Sequence, residues 1–323
     1  MASWLTVAFV GVVIIAALVV ALLPDEHVER AATASADEQS EQVVTTTAER
    51  QPVPPPFLLD LATGEMTQLA ESLADAVHAY VPSPDGARLV YAPRHESFER
   101  IVNIDGSGVR PLESPKGLYA TATRWSPDGT KLVYQERDVE ENDLLPEAEL
   151  GNLVVEDLES GRRTQVTDFK QGSGAAFHFL WPRFSADGQN VIFHFPRNQS
   201  QRLKFDAWSV PITGGKPKLV LRDASWPVPF LGGKRIAYVP GASGFNGHSI
   251  AIADFHGSRP RTLVKADEPI GWPSISPDGS KIAYTTNDDT IHVVKVATGV
   301  HTAVAKGSAA EWLDDVTLII NPS

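Results

Sequence analysis

One nine-residue pattern recurs along the chain and limits the folds that are open to it. Its full copies are SPDGARLVY (83–91), SPDGTKLVY (126–134), SADGQNVIF (185–193) and SPDGSKIAY (276–284), and its degenerate copies are FLGGKRIAY (230–238) and WLDDVTLII (312–320). Proline at the second position suits the first corner of a type I turn, and Asp-Gly supplies the residue with positive φ that closes it. Because an apolar, β-branched or aromatic run follows, each copy predicts a strand, a tight turn and a strand.

A second hairpin pattern alternates with the first. Each copy reads as a strand, a glycine turn and a strand, and the copies occupy 58–69, 101–112, 155–166, 209–220, 253–263 and 293–304. A repeat of about 40–50 residues with four strands is one blade of a β-propeller. The chain enters on the second hairpin and leaves on the first, at 309–320, so the two orphan hairpins would complete one blade. The sequence therefore predicts an all-β fold over 57–320, a six-bladed β-propeller closed by strands from both termini.

An apolar stretch without any charge, Trp4 to Leu23, precedes the repeats. As a helix it would cross roughly 30 Å, which is one hydrocarbon core. No Lys or Arg precedes it, and it exceeds the roughly 7–15 apolar residues of a cleaved signal peptide. We therefore predict an uncleaved transmembrane signal-anchor helix at 3–23, with a cleaved leader or a buried soluble helix as alternatives. Residues 24–56 are polar and acidic and end in QPVPPP, which predicts a disordered tether.

The predicted location is the cell membrane, with a single span and the propeller on the extracytoplasmic side, either periplasmic or at the cell surface. The positive-inside rule assigns orientation from Lys and Arg near the ends of a span. Only Arg30 lies there, so the rule gives little information about orientation. A formal net charge of −12 argues against a nucleic-acid binder, which needs a basic face. The chain has no cysteine, so it has neither disulfides nor thiolate metal sites.

The repeats built on WSPDGTKLVY resemble those of the TolB-type propellers, which also form the propeller domains of prolyl-oligopeptidase-type peptidases. The resemblance covers about 57–320 and implies the fold, whereas the repeated residues are turn and core residues that carry no site. TolB itself is a soluble periplasmic protein with an additional α/β domain, and it binds partner proteins. The predicted span and tether stand in the place of that domain, so the role of TolB itself does not transfer.

The length variation among the repeats falls on one face of the predicted ring, the loop face, at 135–150, 167–178, 195–204 and 239–248. Insertions confined to one face of a repeat protein usually mark its binding face. Trp181, Trp226 and Trp272 start the innermost strands of consecutive blades at the mouth of the channel. They would stack on a sugar or an extended peptide, anchor a partner, or pack between blades as core. Arg197, near the acidic loop 136–149, adds mixed charge that suits a protein partner.

His95, His178 and His248 are candidate ligands for a divalent metal on the loop face, and some propeller lyases that resemble this family bind a metal in this way. No G-x-S-x-G elbow, H-E-x-x-H motif or phosphate-binding glycine loop occurs, so no catalytic residue and no cofactor is predicted. The leading hypothesis is a membrane-tethered propeller that binds a protein partner in the cell envelope. The alternative is a metal-dependent propeller enzyme of lyase or hydrolase type, or a carbohydrate-binding propeller, that uses the loop-face His and Trp residues.

Overall fold

The computed structural model describes residues 54–74, 80–93, 98–112, 114–115, 118–138, 151–169, 180–197, 204–241 and 247–322. A short 3-10 turn covers Glu71–Leu73, and all other regular elements within these ranges are strands. The strands are β1 (Phe57–Asp60), β2 (Met66–Gln68), β3 (Val81–Pro82), β4 (Arg88–Tyr91), β5 (Arg100–Asn103), β6 (Arg110–Pro111), β7 (Leu118–Trp125), β8 (Lys131–Asp138), β9 (Leu153–Asp157), β10 (Arg163–Gln165), β11 (Arg183–Phe184), β12 (Asn190–Pro196), β13 (Phe205–Pro211), β14 (Lys218–Leu221), β15 (Ala224–Phe230), β16 (Arg235–Pro240), β17 (Gly247–Asp254), β18 (Arg261–Ile275), β19 (Lys281–Thr286), β20 (Thr290–Lys295), β21 (His301–Lys306), β22 (Ala309–Trp312) and β23 (Thr317–Asn321).

The predicted anchor at 3–23 and nearly all of the predicted tether at 24–56 lie outside the described residues. Within the described ranges, no helix is long and apolar enough to cross a membrane. At the end of the tether, Pro55 and Pro56 are buried, and the Leu69 N–H donates to the Pro56 carbonyl at 2.8 Å. The packed region therefore includes the last residues of the proline run.

The strands form antiparallel sheets. Among the described residues, four sheets have four strands each, in the orders β3-β4-β5-β6, β10-β9-β8-β7, β11-β12-β13-β14 and β2-β1-β23-β22, and one sheet has seven strands, β15 to β21 in chain order. In the larger sheet, the first part of β18 pairs with β17 and the last part with β19, so this strand belongs to two successive groups of strands. The prediction of an all-β, propeller-like fold is confirmed.

The two ends of the repeat region meet in one sheet, as the hairpin order predicts. Phe57 pairs with Ile320 and Asp60 with Thr317 in antiparallel register. Around Leu59 and Leu318, both buried, the first and last strands share one apolar cluster. This pairing covers the strand edges that the two chain ends would otherwise expose.

One inner strand from each group contacts the next around a common centre. The contacts follow the order β3, β7, β11, β15, β18, β22 and back to β3. Two tryptophan side chains form hydrogen bonds between neighbouring inner strands. Trp125 Nε1 donates to the Val81 carbonyl at 3.1 Å, and Trp312 Nε1 donates to the Ser274 carbonyl at 3.2 Å. The core lies between adjacent sheets, where side chains such as Leu132 are fully buried, each contributing about 1.5–3 kcal/mol.

The recurring SPDG-type turn is stabilised by its serine. Ser83 Oγ donates to the Asp85 carboxylate at 2.5 Å and accepts from the Arg88 N–H at 2.9 Å. Gly86 closes the turn with a φ of 69°, which glycine adopts without strain. The same pair of serine hydrogen bonds occurs at Ser126, Ser185 and Ser276. The repeated letters thus encode one turn geometry used several times.

Candidate functional site

A central cavity of about 470 Å³ lies where the inner strands meet. Residues of, or directly beside, β3, β7, β11, β15, β18 and β22 all contribute to its wall. Its rim is formed by residues of the recurring turns and of the degenerate copy at 230–238: Pro84, Pro127, Ala186, Leu231 and Pro277. The cavity therefore borders the face that carries these turns, here called the turn face. Loop-length variation favours the opposite face and gives no signal for this cavity.

Among the described residues that line the cavity, two arginines and one glutamate carry charge. Arg124 Nη2 lies 3.3 Å from Glu311 Oε1, and Arg183 Nη2 lies 3.7 Å from the same oxygen. The three residues occupy equivalent positions of their inner strands, since each pairs with the same position of the following strand: Val133, Ile192 and Ile319. We call Arg124, Arg183 and Glu311 the charged layer.

Both arginines are poorly solvated. Arg124 is 9% exposed; its Nη1 donates to the Thr123 carbonyl at 2.8 Å, while its buried Nε has no hydrogen-bond partner among the described residues. Arg183 Nη2 donates to the Pro273 carbonyl at 3.3 Å. Burial lowers the pKa of Arg183 to about 10, with Glu311 opposing this shift and Arg124 adding to it. Within the charged layer itself, two guanidinium groups face one carboxylate, a formal charge of +1.

A further carboxyl group, Glu99, lies behind Arg124 and does not line the cavity. Glu99 Oε2 accepts a hydrogen bond from the Thr123 N–H at 3.0 Å. Burial raises the pKa of Glu99, and the Thr123 hydrogen bonds and the charge of Arg124 partly offset the increase. This group supports the backbone that carries Arg124.

The three tryptophans singled out in the sequence are brought together. The rings of Trp181 and Trp272 meet edge to face with centroids 4.4 Å apart, and Trp226 packs with Val239 and Trp181. Trp226 is only 5% exposed, whereas Trp181 and Trp272 are partly exposed. The Arg124 guanidinium lies 5.9 Å from the centre of the Trp181 ring. These residues, the tryptophan cluster, thus adjoin the charged layer.

Unusual backbone conformations position the tryptophan cluster. Trp181, Trp226 and Trp272 have φ values of 45°, 45° and 53°, which are uncommon for residues with a side chain. At Trp226 and Trp272 the pairing register of the strand also shifts, as in a β-bulge. The Trp226 N–H donates to His194 Nδ1 at 3.0 Å, and the His194 ring stacks on Phe205 at 4.6 Å.

Of the three candidate metal ligands, only His248 lies in the described part of the chain. His248 is exposed, and His95 and His178 lie outside the described residues, so their convergence stays a prediction. Nowhere in the described ranges do three His, Asp or Glu residues form a group that could hold a metal ion. The acidic loop 136–149 is also outside these ranges from residue 139 onward.

Arg197 is engaged within its own hairpin. Its Nε lies 3.0 and 3.1 Å from the two carboxylate oxygens of Asp206, and its Nη2 also donates to that group. The Asp206 side chain is 2% exposed and also faces Arg222 at 3.6 Å. Any contact of Arg197 with a partner would therefore compete with a buried carboxylate.

Part of the chain is similar in sequence to known proteins. No family model matches the chain. Tol-Pal system protein TolB from Xylella fastidiosa (strain M12) is 41% identical over 71 residues, which is 20% of this chain and 16% of that protein. Tol-Pal system protein TolB from Xanthomonas oryzae pv. oryzae (strain PXO99A) is 39% identical over 77 residues, or 22% and 17%. The matches thus span less than a fifth of these relatives' length.

Solved structures extend the likeness to most of the domain. A putative TolB from Agrobacterium tumefaciens superposes with a TM-score of 0.65 at 15% identity, over 84% of this chain and 98% of that one. The fold is that of a TolB-like β-propeller. TolB from Acinetobacter baumannii gives 0.54 at 18% identity over 82% and 63% of the two chains, and an oligogalacturonate lyase in complex with manganese gives 0.54 at 19% over 83% and 82%. TolB-like propellers therefore share their fold with an enzyme, and the likeness by itself assigns no chemistry.

Proposed function

We propose that this TolB-like propeller has six blades, is held at the membrane by residues 3–23 and the tether, and binds a protein partner on the extracytoplasmic side of the cell envelope. The closed series of inner strands and the division of β18 between two neighbours support the blade number. The relatives named as Tol-Pal system proteins support a partner-binding role in the envelope.

The central cavity is the observation that carries the binding role. Its wall combines apolar side chains, such as Phe184 and Val228, with the charged layer, which is the usual make-up of a ligand pocket. The recurring turns at its rim are held by serine hydrogen bonds, so the cavity is formed before a partner arrives. A preformed site avoids part of the ordering entropy that binding otherwise costs.

Photo-crosslinking tests this proposal. Ala186 on the cavity rim is replaced by p-benzoylphenylalanine in the full chain, expressed in the cells in which the protein naturally occurs. Val300, which is 60% exposed in the turn between β20 and β21, serves as the control position. Discrete protein adducts at Ala186 and not at Val300 are expected. The proposal fails if the two positions give the same adducts, or if Ala186 gives none.

Membrane attachment and orientation need a separate test. Because the chain has no cysteine, a Val300→Cys variant has one thiol, which a membrane-impermeant maleimide reaches in intact cells or spheroplasts only from outside the cytoplasm. We expect labelling of the full chain without lysis, and recovery of the protein in the carbonate-washed membrane fraction. A chain that starts at Gln51 should leave the membrane fraction. Labelling that appears only after lysis contradicts the orientation.

A further inference from the structure

We infer that the central cavity is a carboxylate-binding site, in which Arg124 and Arg183 hold the anionic group of a ligand beside Glu311. The inference rests on the proposed binding role of the cavity and specifies its chemistry. The carboxylate belongs either to an acidic peptide segment of a partner or to a small organic acid, and the two sources are separated by the test below.

Charge balance is the first support. Arg124 and Arg183 share one carboxylate, Glu311, at 3.3 and 3.7 Å. Apolar side chains, among them Val81, Phe184 and Val228, line the same cavity beside them. Electrostatic interactions are stronger beside apolar side chains than in water, and one additional negative charge would offset the formal charge of +1 on the charged layer.

Unused hydrogen-bonding capacity is the second support. A guanidinium group has five N–H donors, and within the described ranges Arg183 donates one hydrogen bond, to the Pro273 carbonyl. Its 3.7 Å contact with Glu311 is too long for a hydrogen bond. The Arg183 side chain lines the cavity and is 22% exposed, so an acceptor that enters the cavity reaches its remaining donors.

The class of anion follows from Glu311. One oxygen of its carboxylate, Oε1, lies 3.3 Å from Arg124 Nη2 and 3.7 Å from Arg183 Nη2, so the layer already pairs with a carboxylate. A phosphate dianion would bring two negative charges next to Glu311 and overcompensate the layer. A second carboxylate brings one charge, and carboxylates pair well with guanidinium groups.

Binding is measured with acetyl-Glu-Glu-amide, the neutral isostere acetyl-Gln-Gln-amide, glutarate and inorganic phosphate, on the full chain in detergent at constant ionic strength. Isothermal calorimetry is combined with tryptophan fluorescence, because Trp125 and Trp312 line the cavity. We expect saturable binding of the acidic peptide and at least tenfold weaker binding of its isostere. Stronger binding of the peptide than of glutarate assigns the site to peptides, and the reverse order assigns it to small acids. Equal binding of the two peptides, or a preference for phosphate, overturns the inference.

Variants of the charged layer should act in opposite directions. Arg183→Met should weaken binding of the preferred carboxylate roughly tenfold, the loss expected for a charge-assisted contact, and Arg183→Lys should restore part of it. Glu311→Gln should strengthen binding several-fold, because it removes the competing carboxylate. Arg259→Met, at an 84% exposed arginine, is the matched control and should leave affinity unchanged. Thermal unfolding of each variant separates misfolding from loss of the site, and weaker binding by folded Glu311→Gln contradicts the inference.

The two proposals fail in different ways. Partner adducts at Ala186 without any carboxylate preference leave the partner-binding role standing and remove the carboxylate assignment. Carboxylate binding that depends on Arg183, without protein adducts at the rim, leaves a small-acid site and removes the protein partner.

Discussion

Ser126 is buried in its turn, and its hydroxyl makes two hydrogen bonds at once. It donates to Asp128 at 2.6 Å and accepts from the Lys131 N–H at 2.8 Å. Replacing it by alanine leaves that N–H without its acceptor, and we expect Ser126→Ala to lower the free energy of unfolding by about 1–3 kcal/mol. Thr130→Ala, which removes an exposed hydroxyl bonded to the same carboxylate, should cost about 0.5 kcal/mol or less. Urea denaturation of both variants checks the prediction.

The aspartates of the recurring turns give the protein an acid-sensitive range. Hydrogen bonds from Ser126 and the Thr130 N–H lower the pKa of Asp128 from its ordinary value of 3.8 to about 2, and the pKa values of Asp85, Asp187 and Asp278 are lowered as well. A lowered folded-state pKa contributes stability that is fully present above about pH 4 and is lost as the pH falls toward 2.

We therefore expect the melting temperature to fall between about pH 4 and 2 as these turn carboxylates are protonated. Asp128→Asn should reduce the slope in this range, and Glu65→Gln, at an exposed side chain, should leave it unchanged. Circular dichroism melts across the pH series measure both slopes. An Asp128→Asn slope equal to that of the parent would refute the assignment.

A comparison of equivalent positions in the repeat copies points to the charged layer. Arg124 and Arg183 stand five residues before a turn glycine, where other copies have Val81, Val228 and Ser274. A charged residue on an inner strand, at a position where the other repeat copies have an apolar or small residue, indicates a functional site. Glu311 was harder to find, because its copy lacks the turn glycine and its register becomes clear only from the pairing with Ile319.

At the scale of strands, the His194 ring of β12 accepts a hydrogen bond from the irregular part of β15. Because the Trp226 N–H donates to His194 Nδ1, His194→Phe would leave a buried donor without this acceptor while it keeps an aromatic ring next to Phe205. We expect a loss of about 1–3 kcal/mol in unfolding free energy. His194→Asn, whose side-chain oxygen lies near the position of Nδ1, should recover part of the loss. Chemical denaturation of the three proteins tests the contact; equal stabilities would refute it.

The sequence predicts strands and turns better than it predicts strand boundaries. The hairpin at 253–263 and the strand that starts near Trp272 are separate in the repeat pattern, but the structure joins them in β18 (Arg261–Ile275). In this connection, Ile270 pairs both with Gly247 of β17 and with Thr286 of β19. Such sharing depends on where the neighbouring strands lie, and a local pattern of residues carries no information about that.

For the whole molecule, closure depends on the last two strands. A chain that ends at Gly307 lacks β22 and β23, so β1 loses its partner and Leu59 loses its contacts with the cluster around Leu318 and Ile320. We expect this truncation to abolish cooperative unfolding and to cause aggregation through the exposed edge of β1. Removing only Pro322 and Ser323 should leave the melting temperature within a few degrees of the parent. Differential scanning calorimetry and size-exclusion chromatography distinguish the outcomes.

The global fold was predictable because the repeat encodes it many times, and each copy supports the others. The face that bears the central cavity was not, because residues on inner strands converge only when the ring closes. The tryptophan cluster was predictable from the sequence only in part. Its members share one repeat position and were found from it, but the edge-to-face contact of Trp181 with Trp272 and the burial of Trp226 depend on packing across the ring.

The pairing of β1 with β23 also has a consequence for biosynthesis. The two strands are separated by about 260 residues, which a ribosome adds in roughly 13–50 seconds at about 5–20 residues per second. Throughout that interval β1 has been synthesised and β23 has not. The first strand after the proposed membrane anchor in the sequence therefore lacks its final pairing partner. Production of this protein in quantity should therefore be limited by how well the cell protects an unfinished chain, rather than by the stability of the finished ring.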